Sequence, residues 1–69
     1  MIVVVNEKPV EVDGRTTVAA LLESLGFPDR GIAVALDFSV LPRSNWATRV
    51  SELPGQPVRL EVVTAVQGG

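Results

Sequence analysis

The amino-acid sequence predicts an α+β fold: a mixed sheet of four to five strands packing one main helix on one face. Short β-branched runs open and close the chain as "MIVVV" and "VRLEVVTAV", and a single stretch has helical periodicity. The predicted order is strand, strand, helix, strand, short strand, strand, with no repeat and no linker. Strands interrupted by one helix belong to the α+β class. At 69 residues the chain makes one domain, close to the lower limit for a core without disulfides or metals.

"MIVVV" reads as a strand ended by the turn "NEKP", and "VEV" alternates apolar and polar residues, so the two form a hairpin. "DGRTT" is a further turn that places Thr16 or Thr17 as the helix cap. Val18, Leu21, Leu22 and Leu25 follow at i, i+3, i+4 and i+7, the apolar stripe of an amphipathic helix, with Glu23 and Ser24 off the stripe. About three turns of helix are expected. Gly26 is placed to end them in a left-handed cap, with Phe27 folding back and Pro28 blocking continuation.

In "GIAVALD", Ile32, Val34 and Leu36 fall on one face of a strand and Ala33 and Ala35 on the other. "DFS" turns into the short strand "VLP", which Pro42 stops or keeps at an edge. "RSNWATRVSEL" is polar and irregular with room for a helical turn, and "PGQP" turns again. In the last strand Val58, Leu60 and Val62 alternate with Arg59 and Glu61. The first and last strands, apolar and free of internal proline, are the candidates for the sheet centre. Residues 1–66 would form the domain and residues 67–69 a flexible tail leaving the sheet.

Composition excludes several classes of function. The chain has no cysteine and no histidine, which removes disulfides, thiolate metal sites and iron–sulfur clusters. The carboxylates that remain form no dense cluster, so neither a metal nor another cofactor is expected. A net charge of −2 without a basic stripe or an aromatic platform argues against nucleic-acid binding. The apolar runs are too short for a bilayer and no signal-type segment opens the chain. The expectation is a soluble cytoplasmic protein with no membrane partner.

Enzymatic chemistry finds little to work with. Without His, Cys or Tyr, acid–base or nucleophilic catalysis falls to Asp, Glu, Lys, Ser or Thr. Asp13, Asp29 and Asp37 sit in predicted turns, where the ordinary role is a side-chain to backbone hydrogen bond. Glu7, Glu11, Glu23, Glu52 and Glu61 are spread over five elements and read as solvated surface. Arg43 and Trp46, in "LPRSNW", lie in the least regular segment, where binding residues are often found. A lone Trp is more often a lid on a core and Arg43 a surface charge, so both are secondary partner-contact candidates.

The two closing glycines are different. A frayed end or an expression remnant would explain such a pair. Yet Gly68 and Gly69 have no side chains, take almost any backbone angles and end in a carboxylate ionised at neutral pH. From Ala65, five extended residues reach at most about 17 Å, enough to put the end group inside another protein. The carboxylate would react only after activation, most economically as an acyl-adenylate. Val63 and Ala65 continue the outward register of Arg59 and Glu61, and with the neighbouring Val66 and Gln67 they make a candidate docking surface beside the tail.

The whole chain resembles the ThiS family of thiamine-biosynthesis sulfur carriers, small members of the ubiquitin-like β-grasp fold. The likeness rests on the opening strand into "VN", on "TVAALLESL", on "AVALD" followed by "VLPRSNW", and on "GQPVRLEVVTAVQGG". Members often turn the first hairpin with Asn-Gly, where this chain has "NEKP". The resemblance implies that Gly69 is adenylated by an ATP-dependent, E1-like enzyme and converted to a thiocarboxylate that delivers sulfur to thiazole synthase. Gly68 would be the spacer, and the protein itself would catalyse nothing. Three alternatives remain: a molybdopterin-synthase small subunit, a non-covalent β-grasp interaction module, and a protein-modifier tag.

Overall fold

The computed structural model describes residues 1–64; the segment 65–69 lies outside the described residues. Five strands make one mixed sheet: β1 Ile2–Val5, β2 Lys8–Glu11, β3 Ile32–Leu36, β4 Ser39–Leu41 and β5 Val58–Thr64. Their order is β2-β1-β5-β3-β4. The central pair β1 and β5 runs parallel, with Val3 opposite Val58 and Val5 opposite Leu60, and the other pairings are antiparallel. The apolar first and last strands therefore hold the middle of the sheet, and the strand ending at Pro42 holds an edge.

The single helix α1, Val18–Ser24, packs on one face. Its start is paired group by group. Thr17 Oγ1 accepts from the Ala20 N–H at 3.1 Å, and the N–H groups of Val18 and Ala19 reach the carbonyls of Thr48 and Trp46, each at 3.0 Å. Three donors that a helix leaves without intrahelical partners are thus satisfied. The helix is two turns long, where the apolar stripe suggested three. Gly26, at φ 85°, closes it: the Gly26 N–H donates to Glu23 O and the Phe27 N–H to Leu22 O, each at 3.0 Å. That is the Schellman arrangement, at the glycine where the sequence placed the cap; Val18 to Gly26 leaves room for two turns. Leu25 is consequently 40% exposed, and Phe27 packs against the core from the far side of the cap.

The core is an apolar layer between sheet and helix. Val3, Val5, Val34, Val58, Leu60 and Val62 meet Val18, Leu21 and Leu22, with Leu41, Trp46 and Val50 closing the side. Among the described residues none of the buried ones is polar or charged. Fully burying one such aliphatic side chain is worth about 1.5–3 kcal/mol, so these dozen residues carry the fold.

Both hairpins close on two-residue turns with left-handed residues. Val5 pairs with Lys8 around Asn6 (φ 49°) and Glu7 (φ 68°), and Leu36 pairs with Ser39 around Asp37 (φ 49°) and Phe38 (φ 69°). This is the type I′ geometry whose twist matches the strands. Strand β2 therefore starts at Lys8 and includes Pro9, which "NEKP" assigned to the turn. An edge strand tolerates a residue without an N–H. The irregular segment after β4 contains two 3-10 turns, η1 Arg43–Asn45 and η2 Val50–Glu52. No helix among the described residues is long and apolar enough to cross a membrane.

Candidate functional site

The alternation that buries Val58, Leu60 and Val62 sends Arg59, Glu61 and Val63 to the opposite, outer face of the sheet. Paired residues share a face, so the strand register extends this surface sideways. Ala35 lies opposite Glu61 and Ala33 opposite Val63, while Val40 of the edge strand lies opposite Ala35. Val63 is 60% exposed and Val40 75% exposed. An apolar strip thus crosses the outer face and ends beside Thr64, the last described residue. Of the sequence-derived candidates, Val63 belongs to this strip, and Ala65, Val66, Gln67, Gly68 and Gly69 lie outside the described residues.

Arg43 and Trp46 are brought together, but on the helix side. The Trp46 Nε1–H donates to the Leu41 carbonyl at 3.1 Å, and the ring is 7% exposed within the core. The Arg43 guanidinium lies 5.0 Å from the ring centroid and donates to the Asp29 carbonyl. This placement closes the helix–sheet layer, since the Trp46 carbonyl also serves the helix start. Both residues line a groove of about 410 Å³ with Ala19, Leu22, Phe27 and Pro28. That groove lies on the helix side of the sheet and Val63 on the opposite face, so the sequence-derived candidates divide between two surfaces.

Sequence reasoning passed over Val40 and Phe38. Val40 was assigned to a strand but not to a face, because a three-residue strand has too little alternation to show one. Phe38 was read as part of a turn, and "DF" lacks the Asn-Gly signature that announces a type I′ hairpin. The turn puts Phe38 fully in solvent at the end of the outer face. Among the described residues no group of three or more Asp or Glu side chains is arranged to hold a metal ion. Asp13 does what its turn position suggested, its Oδ1 accepting from the Arg15 N–H at 2.8 Å.

A family model described as the ThiS family matches residues 3–69. Among solved structures, the crystal structure of a thiamine biosynthesis protein (ThiS) from Geobacter metallireducens is similar over 100% of both chains, with 28% identity and a TM-score of 0.71. A solution NMR structure of a thiamine biosynthesis protein from the same organism is similar over 100% of this chain and 88% of its own, with 28% identity and a TM-score of 0.66. Comparison with curated proteins finds no match.

Proposed function

The chain belongs to the ThiS family of sulfur carriers in thiamine biosynthesis, and on that premise we propose that the carboxylate of Gly69 is the group that carries sulfur. Proteins of this family are carriers, not enzymes, and work with adenylating enzymes and thiazole synthase. In this chain the Gly69 carboxylate attacks the α-phosphorus of ATP in the active site of an E1-like enzyme, and pyrophosphate leaves. A sulfur nucleophile then displaces AMP from the acyl-adenylate, and a C–S bond replaces the C–O bond. The thiocarboxylate formed passes its sulfur to thiazole synthase. Gly68, without a side chain, is the spacer that lets the end group enter both active sites.

The observation that carries this reading is the family match running through Gly69. It agrees with the absence of cysteine: sulfur held on the chain end requires no side-chain thiol. The outer face beside Thr64, with Val63 exposed, is the docking surface in this reading.

The test is intact mass before and after iodoacetamide, on protein incubated with ATP, the cognate adenylating enzyme and a sulfide source. Mass alone is ambiguous, because replacing oxygen by sulfur shifts it almost as much as oxidising Met1. Alkylation separates the two, since the chain has no thiol of its own. A carbamidomethyl adduct mapping to Gly69 is expected, and deleting Gly69 or placing a bulky residue at 68 should abolish it without unfolding the domain. An adduct that persists in the Gly69 deletion would overturn the proposal.

A further inference from the structure

Phe38 is poorly accounted for by folding. It is fully exposed and occupies the second central position of the β3–β4 turn at φ 69°. A non-glycine residue pays roughly 1 kcal/mol to sit in that region, and Asn or Gly would sit there more easily. The ring gains no burial in return. Its surroundings suggest where it is useful: with Ala35, Asp37, Arg59 and Glu61 it borders a hollow of about 120 Å³ on the outer face. It thus extends the Val40–Ala35–Ala33–Val63 strip to the end of the sheet remote from Thr64.

We propose that Phe38 is an aromatic anchor inserted into an apolar pocket of the enzyme that adenylates the chain end. The proposal rests on the sulfur-carrier reading of Gly69. Area decides the occupant. A Phe side chain offers about 150–250 Å², and the adjoining valines and alanines bring the strip to a few hundred Å², short of the roughly 800 Å² per partner in a stable interface. A second copy stacked on the strip alone falls short. An enzyme that must also enclose residues 65–69 to reach Gly69 makes up the difference from that segment.

The geometry also gives the anchor a task. The β3–β5 ladder ends with Leu36 opposite Leu60, four residues before Thr64, which is about 14 Å at the usual strand rise, and Phe38 lies in the turn beyond it. Attachment at both ends of that span holds the carrier on the enzyme equally before and during the chemical step, a contribution read in KM and not in kcat. Asp37 and Glu61 flank the ring with Arg59, so the pocket that fits carries a basic rim.

The experiment measures pyrophosphate release by the cognate adenylating enzyme as a function of carrier concentration, for wild type, Phe38→Asn and Phe38→Tyr. Phe38→Asn should keep or raise the melting temperature, raise KM for the carrier about thirtyfold, as loss of an aromatic hot spot does, and leave kcat within about twofold. Phe38→Tyr, which keeps the ring, should restore KM. If wild type is adenylated and Phe38→Asn has an unchanged KM, the anchor is wrong while the carrier reading stands. If wild type is not adenylated at all, both fall. A wild-type dimer in sedimentation that Phe38→Asn dissociates would assign the strip to a second copy and overturn the proposal.

Discussion

The Asn6 carboxamide pairs with the backbone of Val62 on both sides: its Nδ2 donates to the Val62 carbonyl at 3.2 Å, and its Oδ1 accepts the Val62 N–H at 2.8 Å. The Asn6 N–H donates in turn to Leu60 O at 3.0 Å. A side chain thereby continues the β1–β5 ladder past the point where the backbone turns away at φ 49°. Without it, the inward-facing stretch of β5 that leads to the chain end would carry an unpaired donor and acceptor.

Replacing Asn6 by Ala therefore removes two hydrogen bonds and puts a Cβ-bearing residue in a left-handed conformation without the local pairing that Asn offers. A loss of about 2–3 kcal/mol is expected, a large share of the stability of a domain this small. Urea unfolding followed by circular dichroism measures it. A loss below about 0.5 kcal/mol would mean that water replaces the carboxamide at no cost.

Glu7, the other central residue of that turn, offers the opposite case. Its φ of 68° suits Gly, and Asn-Gly is the preferred pair for a two-residue type I′ hairpin. Glu7→Gly should raise stability by about 0.5–1 kcal/mol, the relief of strain exceeding the extra freedom gained by the unfolded chain. For a domain of this size that is several degrees in melting temperature. A lower melting temperature would show that Glu7 makes a compensating interaction in solution.

The pattern of legible and illegible features has a physical basis. Val58, Leu60 and Val62, like Val18, Leu21 and Leu22, were readable because each set repeats with the period of its own element. Leu25 fits the same period, yet it is the C-cap residue and half-exposed; the Gly26–Phe27 closure was legible from residue identity, while its cost to the last position of the stripe was not. Pro9 was misread because it was counted among the turn residues of "NEKP", whereas an edge strand accommodates it. The tie between Trp46 and Leu41 spans an edge strand and a 3-10 turn, so no repeat announces it. The chain-end candidates Gly68 and Gly69 were singled out by residue identity alone and lie outside the described residues, and the outer face was legible only in part: Val63 follows from alternation, while Val40 and Phe38 depend on a hairpin register that "DF" does not specify.

Trp46 and Arg43 are adjacent in space and should behave differently. Trp46 is a core residue whose Nε1–H satisfies the Leu41 carbonyl, so Trp46→Ala should cost about 3–5 kcal/mol and leave much of the chain unfolded at 37 °C. Trp46→Phe keeps most of the volume and costs about 1–2 kcal/mol for the unpaired carbonyl. Arg43→Ala loses a stacking contact near the surface and should cost under about 1 kcal/mol. Circular dichroism is the suitable probe, since the chain has a single Trp. If Arg43→Ala proved as damaging as Trp46→Ala, the guanidinium would be holding the 28–30 turn in place through the Asp29 carbonyl.

Val63 tests the outer face nearest the tail. It is 60% exposed, lies opposite Ala33 and stands outside the core cluster of the described residues. A charge there faces solvent in the free protein and must be desolvated in any complex that covers the strip. Val63→Glu should therefore change the melting temperature by no more than a few degrees, since exposed substitutions usually stay within about 0.5 kcal/mol. It should weaken binding to the adenylating enzyme by about tenfold or more, the cost of burying an unpaired carboxylate. The pair of measurements separates fold from docking. Unchanged affinity with unchanged stability would remove Val63 from the interface, whereas a matched loss of both would make it a structural residue of β5.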